Sequence, residues 1–179
     1  MNRKQTIIIG AVIAAVIVLP VAFISLGVYD FAADVPHTNL VADLIDYARD
    51  RSVEERAEDI KVPKLDDSKM IAEGANHYAG MCTGCHLAPG MAENEMRQGM
   101  YPKPPVLANM EVEDPAERFW IVKHGLKMSG MPAWGKTHSD EELWAIVAFL
   151  QKLPSLTPEQ YHTMTAASSE HHHMDMDEH

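Results

Sequence analysis

Residues 70–87 read MIAEGANHYAGMCTGCHL and close on the pentapeptide CTGCH at positions 82–86. Upstream of the pentapeptide the stretch predicts a helix, because Gly74 and Tyr78 share one face at i, i+4 spacing. The two thiols of the pentapeptide then lie one helical turn apart, and the histidine follows directly. They are the two cysteines of the chain, and their spacing is too short for a useful framework disulfide. The pair therefore predicts a cofactor or redox site.

The pentapeptide matches the C-x-x-C-H attachment signature of c-type haem. Cys82 and Cys85 can each add to one of the two vinyl groups of a porphyrin, which holds the haem covalently. His86 is then aimed at the iron, and histidine nitrogen is the standard proximal ligand. A thioredoxin-like pair would accompany a βαβ pattern, and a structural zinc site would need a second ligand pair; the sequence has neither. We therefore predict one covalent haem c.

Met131 is the predicted second iron ligand, in the segment GMPAW at residues 130–134. A thioether is a soft, neutral donor that favours Fe(II), and the flanking glycine and proline shape an irregular loop. Met128 is the alternative methionine, and His124 or His138 would instead make a bis-histidine site. With both axial positions filled, no site remains for a substrate. We therefore expect an electron carrier and not an enzyme.

An uncharged stretch of 24 residues, Thr6 to Tyr29, precedes these motifs. As a helix it would be about 36 Å long, enough to cross the hydrocarbon core of a membrane. Basic residues precede it and Asp30 follows it, which predicts a cytoplasmic N-terminus and a periplasmic remainder at a bacterial inner membrane. A cleaved signal peptide is the alternative, but its apolar region would be only about 7–15 residues long. We therefore expect residues 1–30 to be a retained single-pass anchor.

Residues 31–66 predict an amphipathic helix followed by a charged strap. Thr38 can cap the helix, and a second helical segment, Ser52 to Asp59, ends before Val62-Pro63. The acidic residues of this region would be repelled by anionic lipid, so we expect its apolar stripe to pack on the soluble domain. The stripe consists of Leu40, Val41, Leu44, Ile45 and Ala48.

The formal net charge of the chain is −11. Such an acidic surface argues against nucleic acid as a partner, because Lys and Arg would have to neutralise its phosphates. It favours redox protein partners with a basic docking face, because opposite fields speed encounter.

From Thr38 to Tyr161 the chain resembles class I c-type cytochromes, in particular membrane-anchored bacterial members with a single haem. Five segments follow one another in the order of that family. They are MIAEGANHYAGMCTGCHL (70–87) at the first helix and haem site, APG (88–90) at the next turn, YPKPPVL (101–107) at the proline-rich loop, FWIVKHGLKMSGMPAWG (119–135) at the helix and methionine-ligand loop, and SDEELWAIVAFLQKL (139–153) at the last helix.

The resemblance implies an all-α class I cytochrome c domain over residues 67–161, tethered to one N-terminal transmembrane helix. It implies that the helices near residues 70–81 and 140–150 cross, with Gly74 permitting close approach to an aromatic side chain such as Trp144.

The resemblance also implies that a carbonyl of the proline-rich loop accepts the Nδ1–H of His86. Pro102, Pro104 and Pro105 all remain candidates for this role. It places Pro104 and Trp134 against the haem; Trp134 is equally compatible with an ordinary place in the core.

Residues 162–179 form a tail rich in His, Met and Asp. Such tracts bind Cu, Ni or Zn weakly, and a solubilising tail without metal is the alternative. The histidines in question are His171, His172, His173 and His179.

The sequence thus predicts one-electron transfer by a membrane-tethered, periplasmic mono-haem cytochrome. Two alternatives remain open at this point. The chain could be the electron-transfer subunit of a larger membrane oxidoreductase, or a copper-handling protein that uses the tail.

Overall fold

A computed structural model of the chain describes residues 2–174, with side chains as far as Ala166. Within this range the chain forms helices joined by loops and has no β-strand, which confirms the predicted all-α class. The α-helices are α1 (Arg3–Ser25), α2 (Asn39–Ala57), α3 (Ser68–Met81), α4 (Thr83–His86), α5 (Glu95–Gln98), α6 (Pro115–His124), α7 (Asp140–Leu150) and α8 (Pro158–Met174), with short 3-10 turns at Leu107–Asn109, Trp134–Lys136 and Leu153–Ser155. The boundary between two compact units falls between Val35 and Pro36.

The first unit is built on α1, which is long and apolar enough to cross a membrane. Its start is closed by a capping box: the Asn2 side chain accepts a hydrogen bond from the Lys4 amide at 3.2 Å, and Gln5 accepts one from the Asn2 amide at 3.0 Å. Pro20 lies inside the helix. Apolar side chains cover α1 and none of its residues is buried, so the helix fits a membrane anchor.

The second unit is organised by the contact between α3 and α7. A Cβ added at Gly74 would lie 1.8 Å from the Ala145 carbonyl oxygen, so the two backbones touch where no side chain can fit. The predicted crossing is therefore present, but the expected neighbour is wrong. Trp144 is instead stacked on Phe119 of α6, with ring centroids 4.1 Å apart and an interplanar angle of 9°. Its ring points to α6 because Ala145 takes the place facing Gly74.

Around this crossing lies a core of large apolar side chains. Tyr78 of α3 and Phe149 of α7 are fully buried, with ring centroids 5.3 Å apart. Tyr161 of α8 is also buried and its ring lies 6.3 Å from that of Phe149. The start of α8 therefore belongs to the same core as the two crossing helices.

The region before α3 forms one helix, α2, where two helical segments were expected. It packs on α6 with Val53 and Ala57 buried, whereas Leu40 and Leu44 are 79% and 64% exposed. The predicted stripe is therefore wrong in these two leucines. Leu44 and Val53 are nine positions apart, and at about 100° per residue they lie on opposite faces of α2. Because the second half of the helix packs on α6 through Val53, the face that carries Leu44 is left exposed.

Helix α7 begins with a capping box that supports a prediction. The Ser139 hydroxyl accepts a hydrogen bond from the Glu142 amide at 3.3 Å, and the Glu142 carboxylate accepts one from the Ser139 amide at 2.7 Å. We expect Ser139→Ala to lower the free energy of unfolding by about 1 kcal/mol, because an N-terminal amide of the helix loses its partner. Denaturant unfolding measures the change. Ser155→Ala, which removes an exposed bond to the Lys152 carbonyl, is the control; an equal loss in both variants would contradict the capping role.

Candidate haem site

A cavity of about 440 Å³ lies between α3, the proline-rich loop and α6. Its size is within the range of roughly 300–1,000 Å³ that is typical of ligand sites. The residues predicted for haem attachment, ligation and packing all line it: Cys82, Cys85, His86, Pro104, Met131 and Trp134. We refer to it as the His86 cavity. The structure thus brings together, at one place, residues that are up to 52 positions apart in the chain.

His86 is held by the proline-rich loop. Its Nδ1 lies 2.9 Å from the carbonyl oxygen of Pro105, so Nδ1 carries the proton and donates it to that oxygen. Of the three candidate prolines, Pro105 is the one that makes this bond. The arrangement leaves Nε2 as the lone-pair nitrogen, which is the form that binds a metal. Burial lowers the pKa of His86, which favours the neutral, ligating imidazole.

The turn directly after His86 is strained and is held from α3. Leu87 has a φ of 58°, in the left-handed region that non-glycine residues rarely adopt. The buried hydroxyl of Tyr78 donates a hydrogen bond to the Leu87 carbonyl at 2.6 Å. Burial also raises the pKa of Tyr78, so the hydroxyl keeps its proton. Tyr78 thus ties the end of the pentapeptide to the core helix.

The two thiols are free and partly exposed to the cavity. Cys82 ends α3, with its amide donating to the Tyr78 carbonyl at 2.9 Å, and burial raises the pKa of its thiol. Cys85 follows within α4, its sulfur 4.0 Å from the sulfur of Met100. Both side chains are therefore presented from the same short helical segment that carries His86.

A closed loop carries Met131. Gly125 ends α6 with a φ of 65°, and a Cβ there would lie 2.6 Å from the Met131 carbonyl oxygen, so only glycine fits. The Leu126 amide donates to that same oxygen at 3.3 Å. Ser129 closes the loop: its hydroxyl donates to the Leu126 carbonyl at 2.8 Å and accepts from the Met131 amide at 3.1 Å.

The alternative iron ligands lie elsewhere. Met128 is 74% exposed and lines a neighbouring cavity of about 780 Å³, together with His124. His138 lies against Trp134, with ring centroids 5.6 Å apart, and is not part of the cavity wall. Met131 is therefore the candidate that shares a cavity with His86.

Sequence reasoning missed a cationic side chain in the cavity wall. Arg118 of α6 is only 12% exposed and pairs with Glu113 at 3.2 Å. Burial lowers the pKa of Arg118, while Glu113 opposes that shift. The helical spacing could have indicated this position. Arg118 lies at i, i+3, i+4 spacing with Ile121 and Val122, on the face of α6 that borders the cavity.

The donor set of the His86 cavity fits a covalently bound haem. Two thiols can form the thioether links, a neutral imidazole of fixed tautomer can bind one face of the iron, and a soft thioether can bind the other. The wall is mainly apolar, as a porphyrin requires, with Leu107, Val122 and Leu150 among its members. The site therefore combines the chemistry of attachment with that of ligation.

The tail histidines predicted to bind metal lie outside the part of the chain whose side chains are described, which ends at Ala166. His171, His172 and His173 follow that residue, and His179 lies beyond residue 174 altogether. In the part of the chain that the structure describes, no group of three or more His, Cys, Asp and Glu side chains is arranged to hold a metal ion.

Residues 69–150 match a family model described as cytochrome c oxidase, cbb3-type, subunit III. The matched region begins one residue inside α3 and ends with α7, so it encloses the attachment pentapeptide, the proline-rich loop and the Met131 loop. No curated protein and no solved structure matches the chain.

Proposed function

Because residues 69–150 form a c-type cytochrome domain with covalently attached haem c, we propose that the chain is a membrane-tethered carrier of single electrons between redox proteins. The observation that carries the proposal is the sharing of one cavity by His86 and Met131, with the imidazole tautomer fixed by Pro105. Two protein ligands leave no coordination position for a substrate. Transfer of electrons through the cofactor is then the remaining chemistry.

Haem supplies one-electron exchange between Fe(II) and Fe(III) when bound. The residues of the chain set the conditions for that exchange. Cys82 and Cys85 would hold the group covalently, and His86 and Met131 would bind its iron. Arg118 and its partner Glu113 both line the cavity, so the guanidinium acts there as one member of an ion pair and not as a lone positive charge.

The proposed location is the periplasmic side of the inner membrane, with α1 as a single-pass anchor. Arg3 and Lys4 at the start of α1 and Asp30 after its end support this orientation under the positive-inside rule. The proposed partners carry basic docking faces, because the chain has a net charge of −11. Raised ionic strength would then slow electron transfer more than it changes the haem itself.

An optical redox titration of the detergent-purified protein tests the proposal. We expect one haem per chain, covalently bound and low-spin, that titrates as a single one-electron wave. Oxidised protein should show the weak long-wavelength band of methionine sulfur on Fe(III). A high-spin spectrum, with ready binding of carbon monoxide by reduced protein, would overturn the electron-carrier proposal and point to an open site.

A second candidate function follows from the description of the matched family, which is a subunit of a cytochrome oxidase. The chain would then be the electron-entry subunit of a larger membrane complex, with catalysis in another subunit. Purification in mild detergent separates the two candidates. A stable complex with a second haem- or copper-containing subunit favours the subunit role, and a free chain with reversible redox behaviour favours the carrier.

A further inference from the structure

Arg97 is a buried cation outside the described donor set. It lies in the short helix α5, is 5% exposed, and is the buried charged residue among the described side chains. Its Nη1 donates to both oxygens of Glu93, at 2.5 and 2.6 Å, and its Nη2 donates to the Pro104 carbonyl at 2.7 Å. The Nε is buried and has no partner in the described part of the chain. Burying a guanidinium is costly unless it is paired, and the bonds to Glu93 and to the Pro104 carbonyl offset that cost.

The bond to Pro104 lies directly beside the ligand contact of His86. Pro104 donates no amide hydrogen and its carbonyl accepts from Arg97, while the carbonyl of the next residue, Pro105, accepts the Nδ1–H of His86 at 2.9 Å. A segment with two successive prolines lacks two amide donors that could fix it to its surroundings. The carbonyl groups are therefore the points at which the rest of the protein holds this segment.

We propose that Arg97 is a positioning residue for the iron ligand His86. Anchored on Glu93, its guanidinium holds the Pro104 carbonyl and so fixes the Pro105 carbonyl at hydrogen-bond distance from Nδ1. The proposal rests on the proposed function, in which His86 is the proximal ligand. Arg97 itself does not line the cavity; it acts through the proline-rich loop.

The hydrogen bond on Nδ1 influences the iron through the basicity of the imidazole. A strong bond makes the ligand more electron-rich and stabilises Fe(III), so weakening it should raise the reduction potential. Removing a positive charge near the haem should have the opposite effect and lower the potential. The sign of the change therefore distinguishes the loss of positioning from the loss of charge.

The test uses Arg97→Lys in the full-length, haem-loaded protein. Lysine keeps the charge but lacks the fork that holds Glu93 and Pro104 together. We expect a higher reduction potential than in the wild type. We also expect solvent exchange of the His86 Nδ1 proton, followed by NMR in the reduced protein, to be about five to ten times faster, as befits the loss of one hydrogen bond.

Lys103→Gln is the matched control. The Lys103 Nζ pairs with the same carboxylate, at 3.2 Å from Glu93, but the side chain is 52% exposed. Its removal takes away a charge without removing the bond to the proline-rich loop, so exchange of the Nδ1 proton should stay at the wild-type rate and the potential should not rise. A rise of potential and exchange in Lys103→Gln equal to that in Arg97→Lys would overturn the proposal.

If Arg97→Lys yields no loaded protein, Glu93→Asp gives the same readouts, since it keeps every charge and withdraws the anchor of Arg97. If the variant exchanges its His86 Nδ1 proton at the wild-type rate and keeps the wild-type reduction potential, the positioning role of Arg97 is refuted. The proposed function still stands in that case, provided that the wild type shows a normal low-spin spectrum with the methionine band. An abnormal wild-type spectrum would instead refute the proposed function.

Discussion

Met131→Ala is expected to abolish the weak long-wavelength band of methionine sulfur on Fe(III) and to lower the reduction potential. The thioether is a neutral donor that favours Fe(II), and alanine offers nothing in its place. The fall should be on the order of 0.1 V, since the choice of axial ligand spreads haem potentials over about 0.8 V. Reduced variant protein should also bind carbon monoxide, because one axial position becomes open. Absorption spectra and a redox titration of the variant beside the wild type measure all three changes.

Met128→Ala is the control for this experiment. Met128 lies three positions upstream on the same loop, but it is 74% exposed and lines the neighbouring cavity. We expect this variant to keep the band, the potential and the resistance to carbon monoxide of the wild type. Loss of the band in Met128→Ala, with its retention in Met131→Ala, would reassign the distal ligand.

Gly74→Ala is expected to destabilise the second unit strongly. The added Cβ would lie 1.8 Å from the Ala145 carbonyl oxygen and 2.4 Å from its carbon, both of them backbone atoms. Neither atom can rotate aside, so α3 and α7 would have to separate along the centre of the core. We expect a loss of about 3 kcal/mol or more in the free energy of unfolding, with reduced yield of haem-loaded protein.

Gly80→Ala makes the matched comparison, because it lies on the same helix. A Cβ at Gly80 would meet no atom within 4 Å. Alanine there should stabilise the protein by up to about 1 kcal/mol, through the lower conformational entropy of the unfolded chain. Denaturant unfolding followed by helical circular dichroism measures both variants. Similar stability of the two would mean that the close contact at Gly74 is not required.

Local chemistry explains which features could be predicted from the sequence. The attachment residues could be predicted from the pentapeptide at residues 82–86, because haem attachment requires two thiols and a histidine at fixed spacing. Helix starts have the same local character: Pro115 opens α6 and the Ser139–Glu142 capping box opens α7, because caps depend on residues within one turn.

Other features depend on contacts between distant segments. The choice of Pro105 over Pro102 and Pro104 is set by the path of the loop between the pentapeptide and α6, which no periodic pattern governs. Arg97 joins this loop through side-chain bonds and carries no motif of its own. The exposure of Leu44 follows from the rotation of α2 against α6, because an amphipathic pattern with apolar residues on two faces does not decide between them.

The contact between Gly74 and Ala145 joins positions about seventy residues apart, and this separation orders the biogenesis of the domain. A chain made from its N-terminus exposes the CTGCH segment well before α7 has been synthesised. Until α7 docks, α3 lacks the partner that completes its core, and the thiols remain accessible in a loose chain. Docking of α7 then completes the core against which Cys82 is packed. The attachment segment is therefore accessible in a growing chain before α7 and α8, the helices that complete its core, have been made.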